Sequence, residues 1–96
     1  MILEVGFIPV LDGRQAEFET TINGAVESLL SKSDGFLGFT FHGWGIERPN
    51  VYMFSVAWET LEDHTVGFRE SDRYTQWRAI ISPLFDGAPN VEHFAV

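Results

Sequence analysis

Residues 51–58 alternate with period two: Tyr52, Phe54, Val56 and Trp58 fall on one side, Val51, Met53, Ser55 and Ala57 on the other. Only a β-strand keeps successive side chains on opposite faces, and this one puts all three of its aromatic residues on a single face. A sheet with one aromatic face must lay helices on it. Residues 14–31 supply the first helix, with Phe18, Ile22, Ala25, Val26, Leu29 and Leu30 at helical spacing. Asp12 is its expected N-cap, and Ser33-Asp34-Gly35 its stop.

The remaining elements follow from the same signals. Residues 2–10 and 90–96 read as strands, and residues 36–44 as a third, with Gly38 and Gly43 as bulge sites. Residues 45–50, containing Pro49, make a hairpin turn. Thr60 and Asp63 resemble a capping box opening a short helix to about Phe68. Ser71 caps a further helix that runs to about Ser82, where Pro83 ends it, and residues 84–89 form a loop. The order is β-α-β-β-α-β with a broken second helix. It predicts a ferredoxin-like α+β fold: a four-stranded antiparallel sheet with helices on one face.

The 96 residues make one domain, spanning residues 1–96. Nine Phe and three Trp are more aromatic surface than so small a core covers. The uncovered sheet face therefore predicts a homodimer. A net charge of −8 argues against nucleic acid and anionic membranes as partners. No run is long enough to span a bilayer and no signal peptide is visible. Cysteine is absent, which removes thiolate catalysis and cysteine metal sites and fits a cytoplasmic protein.

Two polar residues, His64 and Arg78, stand where apolar ones belong, beside the strand-end Trp58. His64 shares a helical stripe with Leu61, Thr65 and Phe68; it is either a core histidine bonded to a backbone carbonyl or a base in a pocket. Arg78 shares a stripe with Tyr74, Trp77 and Ile81, and either pairs with Glu59, Glu62 or Asp63 or recognises an anionic oxygen. Trp58 is either plain core or a flat wall with an indole N–H for a ligand. Arg69 and Arg73 read as a solvated face paired with Glu70 and Asp72. His42, His64 and His93 lack metal-ligand spacing, so no metal is expected.

The run Trp58-Glu-Thr…His64…Phe68-Arg-Glu-Ser71…Tyr74…Arg78, preceded by Gly35-Phe36-Leu-Gly38, resembles the antibiotic biosynthesis monooxygenase family, a group of dimeric α/β barrels. Some members oxidise aromatic polyketides with molecular oxygen and no metal or flavin. The resemblance implies a cofactor-independent monooxygenase with His64, Arg78 and Trp58 catalytic. Phe54, Phe68, Tyr74 and Trp77 would contact a small aromatic or polyketide-like ligand. Two positions depart from the oxygenase pattern: Phe54 replaces an Asn, and His64 a Tyr. These departures admit two other readings: a cofactor-free cyclase or lyase with His64 as base, and a non-catalytic ligand-binding dimer. Haem-degrading relatives carry an axial histidine in the last helix; none occurs here, so haem is not expected.

Overall fold

The computed structural model describes residues 1–96. Its elements are β1 (Ile2–Pro9), α1 (Gln15–Ser28), β2 (Phe36–Trp44), β3 (Val51–Trp58), α2 (Asp72–Ile81) and β4 (Asn90–Ala95). The sheet order is β2-β3-β1-β4 with every pairing antiparallel, as the ferredoxin-like reading requires. Register shifts fall between Phe36 and Gly38 and between Phe41 and Gly43, the two glycine bulge sites. The helices cover one face. The side chains they bury are Ile8 from β1 and Val10 just after it, Phe18 and Ile22 from α1, Tyr52, Phe54, Val56 and Trp58 from β3, and Trp77 and Ile81 from α2.

Three local expectations change. Helix α1 starts at Gln15 with Arg14 at its N-cap, so Asp12 does not cap it; Asp12 instead accepts a long hydrogen bond from the Gln15 amide, 3.5 Å. The helix ends at Ser28 and tightens into a 3₁₀ turn over Leu30–Lys32, a common way to close a helix. The short helix after β3 is a π-helical segment, Asp63–Phe68. Its wider bonding shows in the Arg69 N–H donated to the His64 carbonyl at 3.1 Å, five residues back. This places His64 and Phe68 together on the buried side, while Leu61 turns out to 38% exposure.

The capping box forms reciprocally. The Asp63 N–H donates to Thr60 Oγ1 at 3.2 Å, and the Thr60 N–H to Asp63 Oδ2 at 3.1 Å. Ser71 accepts the Tyr74 N–H at 3.3 Å and caps α2. Gly35 holds φ at +78° under the Asp63 side chain, where a Cβ would collide with that carboxylate. Sequence and packing thus agree on where the chain turns from β3 into the segment carrying His64.

The other sheet face has no helix over it. Leu3, Val5 and Phe7 of β1 alternate onto it, opposite Ala57, Ser55 and Met53 of β3. Phe94 joins them from β4 with 46% exposure.

Candidate active site

Alternation along β1 puts Glu4 on the helix-covered face, in phase with Gly6, Ile8 and Val10. The carboxyl group is therefore buried, at 6% exposure. Two neighbours meet its Oε1: Trp58 donates its indole N–H at 3.0 Å, and His64 Nε2 stands 3.3 Å away. The other His64 nitrogen, Nδ1, lies 2.7 Å from Nε2 of His93. Pairing of β1 with β4 sets Glu4 directly beside His93. The His64 ring lies flat on Trp58, with centroids 5.4 Å apart and planes 18° apart.

Burial controls the charge of this group. Desolvation pushes the Glu4 carboxyl up to about 7, against the opposing pull of the Trp58 hydrogen bond and the Arg69 charge. Desolvation, with help from Arg69 and His93, pulls His64 down to about 4. His93 is lowered too, by burial and Arg69. The group titrating near neutrality is thus the carboxyl, and the imidazole beside it is a weak base held neutral.

Glu4 and His64 open onto a cavity of about 640 Å³ between the sheet, the π-helical segment, α2 and the loop before β4. That is ample for a small-molecule ligand. Phe54, Phe68, Tyr74 and Trp77 line its walls. Phe54 has its place because Gly6 lies opposite it: a Cβ on Gly6 would occupy the Phe54 ring. Arg69 and Arg78 also line the cavity. Both are exposed residues, and neither is in an ion pair.

The structure brings His64 and Arg78 to one cavity. It separates Trp58 from it. Trp58 is fully buried, is not part of the lining, and spends its N–H on Glu4. Its place is behind His64 and Glu4, in contact with both. Arg78 reaches the rim instead of a core position, and no acidic partner holds it. Arg69 is not on a solvated paired face but at the cavity, and Arg73 has no ion pair and a buried Nε without a partner.

Glu4 and His93 were not legible as site residues. A carboxylate in phase with buried β1 residues is the signal that marks Glu4. His93 depends on the β1–β4 register, which no local pattern gives. His42 lies on the opposite sheet face, bonded to Ser55 at 2.8 Å, and cannot join His64. His64 turns opposite nitrogens to Glu4 and His93, so the three do not converge on one point, and no metal-holding group of three such side chains occurs.

A family model for antibiotic biosynthesis monooxygenase matches residues 1–80. The uncharacterised protein YczJ of Bacillus subtilis (strain 168) is 34% identical, over 98% of this chain and 97% of its own. A crystal structure from Bordetella bronchiseptica, described as a candidate antibiotic biosynthesis monooxygenase, is also 34% identical. It superimposes with a TM-score of 0.90 over 99% of this chain and 95% of its own. The monooxygenase from the ActVA-Orf6 gene of Streptomyces coelicolor, solved with nanaomycin D, shares the fold at 21% identity. Its TM-score is 0.82, over 99% of this chain and 86% of its own.

Proposed function

The chain belongs to the antibiotic biosynthesis monooxygenase family, and on that premise we propose that it is a cofactor-independent monooxygenase acting on a small aromatic or polyketide-like substrate. The observation that carries this reading is a buried carboxyl–imidazole pair, Glu4 and His64, at the inner end of an aromatic-lined cavity. The ligand seen in the Streptomyces coelicolor monooxygenase supports the substrate class.

The chemistry begins with a proton. A phenolic or similarly acidic substrate stacks against Phe54, Phe68, Tyr74 and Trp77. Its proton passes to the Glu4–His64 pair, whose carboxyl titrates near neutrality as a general base requires. Arg69 and Arg78 stabilise the oxyanion left behind. The electron-rich anion then reduces molecular oxygen. One oxygen atom replaces the two hydrogens lost by the substrate, the other leaves as water, and the product is a quinone or ketone. The cytoplasm is the compartment this chemistry and the absence of cysteine suit best.

The active form is a homodimer, in which the apolar faces of two sheets cover each other as a barrel. Leu3, Val5, Phe7 and Phe94 on the uncovered face support this. Sedimentation at micromolar concentration tests it; a well-folded monomer there speaks against it.

One observation favours a second reading. An acid–base pair with histidine in place of the oxygenases' tyrosine also suits proton abstraction without oxygen, as in a cyclase or lyase. An oxygen electrode separates the two. Metal-free protein is mixed with a panel of naphthols and anthrones, and uptake is followed alongside product. Uptake matching quinone or ketone formation, lost in Glu4→Gln, supports the monooxygenase. Equal turnover with oxygen excluded supports the cyclase or lyase. No conversion with any substrate leaves the binding dimer as the better account.

A further inference from the structure

We infer that Glu4, His64 and His93 form a proton relay, which carries the substrate's proton from the cavity to the outer strand of the sheet. The relay rests on the acid–base role proposed for the Glu4–His64 pair and extends it to His93, a residue outside the cavity.

The geometry has an inner end and an outer end. Glu4 and His64 line the cavity; His93 does not, and sits half-buried on β4, which pairs only with β1. His64 joins the two. A merely structural histidine at 4% exposure bonds backbone carbonyls, but the nitrogens of His64 face a carboxyl group and a second imidazole. Two ring nitrogens 2.7 Å apart must share a hydrogen, so the tautomers of His64 and His93 are locked together. The 3.3 Å separation on the Glu4 side is slightly long, as in many ligand-free sites before substrate tightens them.

Two arrangements satisfy every contact. In the first, the Glu4 carboxyl carries the proton and donates to His64 Nε2, while His64 Nδ1–H donates to His93 Nε2. In the second, the Glu4 carboxylate accepts from His64 Nε2–H, and His64 Nδ1 accepts from His93 Nε2–H. The first becomes the second when one proton moves from Glu4 to His64 Nε2, another from His64 Nδ1 to His93 Nε2, and a third leaves His93 Nδ1 for water. The net change is one proton released from Glu4, and both imidazoles stay neutral throughout. No buried imidazolium is ever formed, which desolvation disfavours. Two further groups face the relay. Trp58, from β3, anchors the Glu4 oxygen, and Arg69, beyond the π-helical segment, acts on all three titrating groups and favours the carboxylate arrangement.

Nitrogen-15 histidine spectra of the ligand-free protein test the relay without any substrate. The tautomer of His64 should switch from Nδ1–H to Nε2–H as pH rises through the titration of Glu4. In Glu4→Gln, which stays uncharged at every pH, the switch should be lost and one tautomer should persist. A single His64 tautomer across the whole range in the unsubstituted protein overturns the relay. So does a switch that survives in Glu4→Gln, since it would then follow another group. The measurement is independent of turnover. A switch without oxygen uptake leaves the relay standing and removes the oxygenase, and oxygen uptake without a switch does the reverse.

Discussion

Each end of β3 carries a large, fully buried aromatic residue whose polar tip is given to a glutamate, and the two ends do different things. At the start of the strand, the Tyr52 hydroxyl donates to Glu19 of α1 at 3.0 Å. Phe18 and Phe41 pack on the Tyr52 ring, each with its centroid 5.2 Å away, and the space is filled. At the end of the strand, the Trp58 N–H donates to Glu4, and the space in front of Glu4 and His64 is open. Glu19 stands on a half-exposed helix surface, whereas Glu4 is inside the sheet–helix layer. The same pairing of an aromatic tip with a carboxylate thus builds a core at one end. At the other, burial of the carboxylate raises its proton affinity, and the Trp58 hydrogen bond opposes that rise.

Truncation separates the two ends of β3 most strongly. Phe18→Ala empties the filled end and should cost about 3–5 kcal/mol by chemical denaturation, while leaving the Glu4 titration unmoved. A shift in that titration would mean the two ends are coupled.

The pH dependence of stability is the next largest effect. The Glu4 carboxyl is raised to about 7, so the folded state keeps its proton where the unfolded chain gives it up. Its contribution is full below about 4.5 and is lost as pH rises through 7. His64, lowered to about 4 from 6.5, has the opposite sign: its contribution is full above 6.5 and is lost as pH falls through 4. The slopes oppose each other between about 4.5 and 6.5 in the intact protein. Each single substitution should expose the other. Glu4→Gln should gain stability with rising pH across that window, and His64→Gln should lose it, each on the order of 1–3 kcal/mol. Parallel profiles for both variants would refute the opposition.

Gly6→Ala tests the open end sterically. Its Cβ displaces the Phe54 ring, and the strain should cost about 1–3 kcal/mol and weaken binding of an aromatic ligand, read by calorimetry. A smaller effect belongs to the polar tip of Tyr52. Tyr52→Phe should cost only about 0.5–1.5 kcal/mol and leave Glu4 unmoved. Arg78→Gln, at an exposed rim position, should leave thermal stability within about 0.5 kcal/mol while weakening binding of a naphtholate.

The architecture was legible because alternation and helical spacing are local. The strand of Tyr52 to Trp58 and the helix of Phe18 and Ile22 announce which faces are buried, and both bulge glycines fall where the strands shift register. The site was legible only in part. His64 and Arg78 stand out as polar residues in apolar stripes, and both border the cavity. Glu4 carries the same kind of signal, in phase with Ile8 and Val10, but one acidic residue in a strand of eight reads more readily as an interruption. Trp58 was placed correctly in its strand, yet the destination of its N–H depends on a residue 54 positions away. The π-helical segment leaves no sequence mark beyond its capping box, and Arg69, which follows it, borders the cavity without an acidic partner.

The chemistry of the site depends on the protonation of Glu4, and infrared difference spectroscopy across pH reads it directly. The buried carboxyl should show a protonated C=O stretch that persists below neutrality and disappears near pH 7, and that is absent from Glu4→Gln. A Glu4 that is already ionised down to the ordinary glutamate value of about 4.3 would contradict the account, because the pair would then hold no group matched to proton exchange at neutral pH.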